Sequence, residues 1–374
     1  MSWAELHQKS ERLESERLAA EAQGIAQTSP DRARALYAEA ARAEAAALME
    51  VSTFKVRTFG ITAVSAVALW FKAREFVEAQ RLAHRMLGEA DLPAFAKEQL
   101  QVLLQTIWSE EVRQNAGSKF SEGAVVVSVA GGNVLTGGAP LDLVVAKVEL
   151  LQSIFFRTVE FLQNMPHRKR GKASMDVQKI CRPWLFQAAP GSYQFAVAIE
   201  DVAQGKLFEQ IATADEIKGA FVALLHDATE DPDTALAERV PDKEYRGTFL
   251  KLTRALAPTG KDFSVMTIRR DALDRNPITI DANSRKALAD VIRKDFARPR
   301  ATGETEGTLN GILRAVHLDE DWLEIAVDGQ HTRVYGVGET VDDEIGPLMN
   351  RPVTVKILTQ ASGRITFVDI ENAS

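Results

Sequence analysis

The sequence predicts a multidomain α+β protein: an N-terminal antiparallel helical repeat bundle, a central α+β layer domain and a C-terminal five-stranded small β-barrel. The first 116 residues are rich in Ala, Glu, Arg and Leu and contain few Gly or Pro, which favours helix. Strand-like and helix-like patterns then alternate. Beyond a polar linker at 297–307, apolar residues recur at every second position, as in half-buried strands. The expected domains are therefore 1–116, 117–296 and 308–374.

Composition excludes several classes of protein. A chain of 374 residues is too long for one typical domain. A net charge of -7 argues against a protein that generally coats nucleic acid or membrane surfaces. The single cysteine, Cys181, rules out an internal disulfide and a cysteine-rich zinc site. The polar N-terminus and the short apolar stretch at 61–71 argue against a signal segment or a membrane span. We therefore expect a cytoplasmic protein with no membrane partner, no cofactor and no metal.

Breaks in the first segment divide it into helices. Ser29 and Pro30 form a cap followed by a proline in the first turn. The stretch Thr58–Gly60 is expected to separate the second helix from the third, and Asp91 with Pro93 to open the last one. Between the breaks, apolar residues recur at spacings of three and four, which predicts amphipathic helices with one buried face.

One helical hairpin, residues 65–87, has a more specific pattern. It has an aromatic residue at Phe76, small residues at Ala79 and Ala83, then Met86-Leu87 and Pro93. These residues resemble the tetratricopeptide repeat, and a fainter copy lies at 33–41. The resemblance implies a concave groove for a peptide or helix. We therefore predict a partner surface, shaped by Leu69, Phe76, Ala79, Ala83 and Met86. The alternative is a plain helical bundle that packs on the rest of the chain or dimerises.

The central segment predicts strands at 124–130, 184–200 (two strands around a turn at 190–192), 263–268 and 278–280. Helices are expected at 142–162, from a capping box at Thr213 to about 227, at 243–256 and at 284–296. This order suggests one layered domain with a mainly antiparallel sheet.

Individual motifs in this segment do not complete a catalytic signature. The glycine pairs at 131–132 and 137–138 lack the Lys-Ser/Thr of a phosphate loop, so a turn or flexible loop is expected. His226-Asp227 matches the core pair of metal-dependent phosphohydrolases, but a second helical histidine is missing upstream. Cys181 has no histidine nearby in sequence to activate it, and we interpret it as a structural thiol.

The densest positive run lies at 166–182 and includes Arg168, Lys169, Arg170 and Lys172. Such a run can dock on phosphates of a nucleotide or nucleic acid. No aromatic residues alternate with these charges to stack bases. We therefore favour a solvated loop or a contact with an acidic partner, and keep phosphate contact as an alternative.

The tail predicts five strands at 309–316, 322–327, 332–335, 353–357 and 365–370. Asp328-Gly329 is a strong hairpin signal, and a short helix is expected within 342–349. The pattern resembles an SH3-like or oligonucleotide-binding-type barrel, which implies a module that contacts other macromolecules. Its exposed positions are rich in Asp and Glu, so protein contact or structural support is favoured over nucleic-acid binding.

Taken together, these patterns favour a non-catalytic intracellular adaptor or assembly subunit that binds a protein partner through its N-terminal helices. One alternative is a nucleic-acid-associated accessory factor that uses residues 166–182 and the barrel. Another is an enzyme whose site the sequence does not reveal. A homo-oligomer is left open.

Overall fold

The structure is a computed structural model. It describes residues 3–26, 28–115, 124–135, 138–186, 193–200, 212–260, 262–271, 274, 276–296, 304–337 and 342–373. Within these ranges the chain is a mixed α+β protein with twelve α-helices and two five-stranded sheets. No helix in the described part is both long enough and apolar enough to span a bilayer.

The helices are α1 (Trp3–Ile25), α2 (Pro30–Glu50), α3 (Val56–Lys72), α4 (Phe76–Leu87), α5 (Ala94–Asn115), α6 (Leu141–Leu162), α7 (Met175–Ile180), α8 (Ala214–Glu230), α9 (Ala235–Arg239), α10 (Lys243–Leu256), α11 (Ala282–Phe296) and α12 (Asp342–Ile345). The strands are β1 (Val125–Ala130), β2 (Pro183–Phe186), β3 (Tyr193–Ile199), β4 (Val265–Arg269), β5 (Ile278–Asp281), β6 (Thr305–His317), β7 (Trp322–Val327), β8 (Gln330–Tyr335), β9 (Pro352–Thr359) and β10 (Ile365–Asn372). A 3₁₀ turn, Gly346–Leu348, follows α12.

The chain divides into two compact units. The first contains residues 1–127, 184–198 and 269–276, and the second contains residues 128–183, 199–268 and 277–374. Most of the predicted central segment therefore groups with the C-terminal strands. The division into three consecutive domains stays a prediction, and most of the predicted linker at 297–307 lies outside the described residues.

In the first unit, successive helices α1 to α5 pack against one another. The core is unusually rich in alanine: α2 alone buries Ala33, Ala38, Ala40, Ala41, Ala43 and Ala47. Because an alanine side chain is a single methyl group, helix axes can approach closely where it faces a neighbour. The predicted close pairing at Ala79 and Ala83 follows the same rule, since both are fully buried.

One predicted helix boundary in this unit is wrong. The break between α2 and α3 lies at residues 51–55, and Gly60 sits inside α3 rather than before it. A Cβ built on Gly60 would lie 2.5 Å from Cγ of Pro93 and 2.8 Å from Cζ of Phe95. The glycine therefore allows the start of α5 to approach α3, and it does not end a helix.

The first sheet has the strand order β2-β3-β1-β4-β5. Strands β4 and β5 are antiparallel, with Met266 opposite Ile280. In the second unit, α6 packs against α8 and α10. The rings of Phe155 in α6 and Phe221 in α8 stack with centroids 3.8 Å apart, and Phe249 of α10 is also fully buried. The capping box predicted at Thr213 is confirmed, because Thr213 and Glu216 exchange hydrogen bonds at the start of α8.

The second sheet has the order β10-β8-β7-β6-β9 and closes on itself. Four of its pairings are antiparallel, and a short parallel contact between Thr366 and Tyr335 joins β10 to β8. The predicted hairpin at Asp328-Gly329 is confirmed: both residues have positive φ, and Val327 pairs with Gln330 across the turn. Inward-facing side chains such as Leu313, Leu323, Ile325, Val334 and Val355 fill the interior.

Candidate functional site

The five residues predicted to shape a partner surface lie in the interior of the helical region, which we define as residues 3–115. Phe76, Ala79, Ala83 and Met86 belong to the apolar core that α3, α4 and α5 share. Leu69 belongs to a second core with residues of α1 and α2. All five side chains are buried. A partner could reach them only by displacing a neighbouring helix, so the predicted surface is not open in this structure.

A different set of apolar side chains is exposed in the same region. Met49, at the end of α2, is 73% exposed, Phe54 is 95% exposed, and Val56, at the start of α3, is 47% exposed. We call these three residues the apolar corner. Large apolar side chains that stay in water are informative when several lie together, because burying each of them would be favourable by about 1.5–3 kcal/mol.

The backbone of the apolar corner is held from inside. Leu48 and Val51, on the same stretch of chain, are buried in the core that α3, α4 and α5 share. The Lys55 amide donates to the Ser52 carbonyl at 2.9 Å, which closes the turn before α3. Phe54 is therefore presented by an anchored turn. Lys55 and Arg57 are also exposed and place positive charge beside the apolar side chains.

The basic segment at 166–172 contacts the C-terminal part of the chain. Arg168 donates through Nε to Glu160 at 2.7 Å and through Nη2 to Asp343 at 3.2 Å. The Gly171 amide donates to Asp342, and the Asp342 amide donates to the Lys169 carbonyl at 3.3 Å. The acidic helix α12 is thus bound by this segment.

The other cations of the basic segment do not contact α12 in the same way. Lys169 pairs with Glu244 at 3.0 Å, Arg170 donates to the Lys169 carbonyl at 3.3 Å, and Lys172 is exposed. Burial, reinforced by the charge of Arg157, lowers the pKa of the neighbouring His167. Of the four residues predicted to contact phosphate, Arg168 and Lys169 therefore have carboxylate partners within the chain.

Arg157 is the largest fully buried side chain in the described part of the chain. Its Nε donates to Asp343 at 2.8 Å, and its Nη1 donates to the Arg168 carbonyl at 2.6 Å and to Glu160 at 3.3 Å. A guanidinium removed from water needs such partners, because an uncompensated buried charge costs several kcal/mol. Sequence reasoning missed this residue, since Asp343 lies 186 positions away.

Two further helices reach the barrel through ion pairs. Arg254 in α10 binds Asp369 of β10 with two hydrogen bonds, at 2.7 and 2.8 Å. Burial alone would raise the pKa of Asp369, but the hydrogen bonds and charge of Arg254 outweigh it and lower that pKa. Arg285 in α11 pairs with Glu371. The barrel ion pairs, as we call them, are Arg157–Asp343, Arg168–Asp343, Lys251–Glu344, Arg254–Asp369 and Arg285–Glu371.

Gly131 and Gly132 form a tight turn against a neighbouring loop. Both have positive φ, and a Cβ on Gly132 would lie 2.7 Å from the Asp262 carbonyl oxygen. The Asn133 amide donates to that same oxygen at 2.9 Å. The glycine pair therefore has a packing role, in line with the expected turn. Residues 136 and 137 lie outside the described residues.

The remaining chemical motifs have structural partners. Asp227 is buried and is bound by Arg239, with His226 Nδ1 3.3 Å from its carboxylate. Cys181 is buried, and burial raises the pKa of its thiol to about 12, so it stays protonated at neutral pH. Among the described residues, no three His, Cys, Asp or Glu side chains come together as a metal site would require.

Comparison with known proteins does not assign the site. No protein family, curated protein or solved structure matches this chain. Function must therefore be argued from the chain's own residues.

Proposed function

We propose that the chain is a non-catalytic adaptor or assembly subunit that binds a protein partner through its helical region. The observation that supports this most is the apolar corner, where Met49, Phe54 and Val56 are exposed within eight residues. Because Leu48 and Val51 anchor the turn, binding would not require its backbone to be ordered first. The contact surface thus differs from the one expected from the repeat pattern.

The charged residues beside the apolar corner indicate what kind of partner could bind there. Lys55 and Arg57 are exposed on either side of Val56, and Glu50 is exposed beside Met49, so the charge next to the apolar residues is positive at the Val56 end. Interfaces commonly combine an apolar centre with a polar rim, and complementary charge raises the association rate. We propose that the partner presents an apolar segment with acidic neighbours.

The proposal also assigns a fold type to the helical region and to the closed C-terminal sheet. The helical region would be a tetratricopeptide-like scaffold, and the closed C-terminal sheet an SH3-like or oligonucleotide-binding-type barrel. The barrel ion pairs support a structural role for the barrel, because they hold it against α6, α10 and α11. We propose a cytoplasmic setting for the protein as a whole.

We do not propose that residues 166–182 bind nucleic acid. Within this segment, Arg168 pairs with Glu160 and Asp343, and Lys169 pairs with Glu244. Cations already paired within the chain gain less from phosphate, because the new contact must replace an existing one. Salt-dependent retention on nucleic acid would reopen this alternative.

The test is affinity purification of the tagged full chain from its source cells. We compare the wild type, the double variant Met49→Ser/Phe54→Ser, and the matched control Val77→Ser, whose valine is 61% exposed on α4. A partner should be retained by the wild type and the control, while the double variant should lose at least about 2 kcal/mol of binding free energy, or about 30-fold in affinity.

Each result decides for or against the proposal. Retention of the partner by the double variant would place the interface elsewhere. Failure of the wild type to retain any protein, or the finding by light scattering that the retained protein is a second copy of this chain, would refute the adaptor assignment.

A further inference from the structure

A cavity of about 170 Å³ lies within the second unit. Its wall combines the start of α6, the end of α10 and the loop after it, α11, and residues of the barrel. A cavity of about 150 Å³ is known to hold a molecule the size of benzene. The volume here therefore suits a ligand about the size of benzene, which is the size of a small metabolite.

Lys147 of α6 lines this cavity. Its Nζ donates to the Ala255 carbonyl at 2.7 Å and lies 5.1 Å from the ring centroid of Phe263. Lys251, Arg254 and Arg285, on the same wall, each pair with a carboxylate. In the described part of the chain, by contrast, no carboxylate lies within ion-pair distance of Lys147.

The surroundings of this amine disfavour its charged form. Burial and the positive charge of Arg285 lower the pKa of Lys147 to about 7, and Asp262 opposes the change only in part. Apart from the paired groups above and their carboxylates, the charged residues on the wall are Asp142 of α6, Asp262 of the loop, Asp343 of α12, which pairs with Arg157 and Arg168, and Arg351 just before β9. A large fraction of the Lys147 amine is thus neutral near pH 7 and keeps its nucleophilic lone pair.

We propose that Lys147 captures a small carbonyl compound in this cavity as an imine. The amine lone pair attacks the carbonyl carbon and forms a C–N bond, and the carbonyl oxygen takes up a proton. The resulting carbinolamine loses the nitrogen proton and the hydroxyl group as water, which leaves a C=N bond. The step needs no oxidant or reductant, and it is independent of the partner-binding function proposed above.

Arg351 indicates which carbonyl compounds fit best. Arg351 is half-buried, lines the cavity and has no ion pair within the described residues. Arginine binds carboxylates with paired hydrogen bonds. The ligand class we assign is therefore a short 2-oxo acid, whose carbonyl reacts with Lys147 and whose carboxylate pairs with Arg351.

The experiment is reductive trapping on the full chain at pH 7. Glyoxylate and cyanoborohydride are added, and the labelling rate of each lysine is read by peptide mass spectrometry. An ordinary lysine is almost fully protonated at this pH, so Lys147 should be labelled at least about tenfold faster than the exposed Lys172 and Lys286. This internal comparison needs no variant. Equal rates at the three lysines would overturn the proposal.

Three controls sharpen the result. The rate at Lys147 should level off above about pH 7, whereas a rise that continues to pH 10 would contradict a neutral amine. Lys172→Met, which removes an exposed lysine that does not line the cavity, should leave labelling of Lys147 intact. Arg351→Gln should slow labelling by glyoxylate but not by propanal, and equal slowing would refute the assignment of a 2-oxo acid.

Discussion

The helical region and the barrel are stabilised by different kinds of contact. The helical region relies on alanine and other apolar side chains, and its ion pairs, such as Arg81–Glu78 within α4 and Arg32–Glu21 between α2 and α1, are exposed. The barrel, by contrast, meets the rest of its unit through ion pairs with buried or half-buried cations. The first kind of contact tolerates loss of a charge, and the second tolerates it poorly.

The largest effect is expected at Arg157. Arg157→Ala should lower the free energy of unfolding by about 3–5 kcal/mol, because Asp343 and Glu160 would lose one of the two cations that compensate them and keep only Arg168. Urea denaturation measures the change. Arg81→Ala, which breaks an exposed pair in the helical region, is the control and should cost about 0.5 kcal/mol or less. Similar losses in both variants would erase the contrast between the two regions.

The helical region should be most sensitive to added volume. Gly60→Ala would place a Cβ 2.5 Å from Cγ of Pro93, so overpacking should cost about 1–3 kcal/mol. Gly219→Ala is the matched control, because no atom lies within 4 Å of the added Cβ and α8 should gain about 0.5–1 kcal/mol. Thermal unfolding of both variants reports the sign, and a stabilised Gly60→Ala would mean that α3 and α5 are not closely packed.

A smaller, pH-dependent effect is expected at Lys147. Its pKa is lowered to about 7 in the folded chain and is about 10.4 when unfolded. The unfolded chain therefore binds more protons between these values, and the wild type gains stability as pH rises through this window. After allowance for partial exposure, the gain from pH 7 to 10 should be about 1–2 kcal/mol.

Lys147→Met isolates this contribution. Denaturation at several pH values should show that the variant's stability advantage over the wild type is largest below pH 7 and shrinks as pH rises. Groups that titrate in both proteins cancel in the difference. A difference that does not change with pH would show that Lys147 titrates normally.

The smallest effect on stability is expected at the apolar corner. Phe54 is 95% exposed, so Phe54→Ser removes almost no buried surface and should change the free energy of unfolding by less than about 0.5 kcal/mol. Chemical denaturation checks this. A large loss would mean that Phe54 is buried in solution, by the chain itself or by a second copy.

Local patterns predicted much of the fold. Helix α10 begins at Lys243 and ends at Leu256, as predicted, and the structure adds that the Asp242 side chain caps its start. The start of α8, which depends on the capping box at Thr213, and the β7–β8 turn were also predicted from short stretches. In each case the signal and the structure lie within a few residues of each other. The short helices α7 and α9 were missed because five or six residues carry no clear period.

The candidate sites depend on contacts between residues far apart in the chain. Gly60 suggests a helix break in sequence, and only the proximity of Pro93 and Phe95 explains it. The repeat pattern at Phe76, Ala79 and Ala83 gives the core of a helix pair, and it does not indicate which apolar side chains stay outside. The cavity beside Lys147 could not be inferred, because its wall combines five separate stretches of sequence.

The cations of the barrel ion pairs and their acidic partners lie far apart in the sequence, and this distance affects the order in which the chain can fold during synthesis. Arg157, Arg254 and Arg285 leave the ribosome well before Asp343, Asp369 and Glu371, which neutralise them. A nascent chain of about 300 residues would thus contain helices α6 to α11 with none of these counter-charges. Translation proceeds at about 5–20 residues per second, so this state would last several seconds. The helical region can pack during synthesis, while the second unit must wait for its last strands.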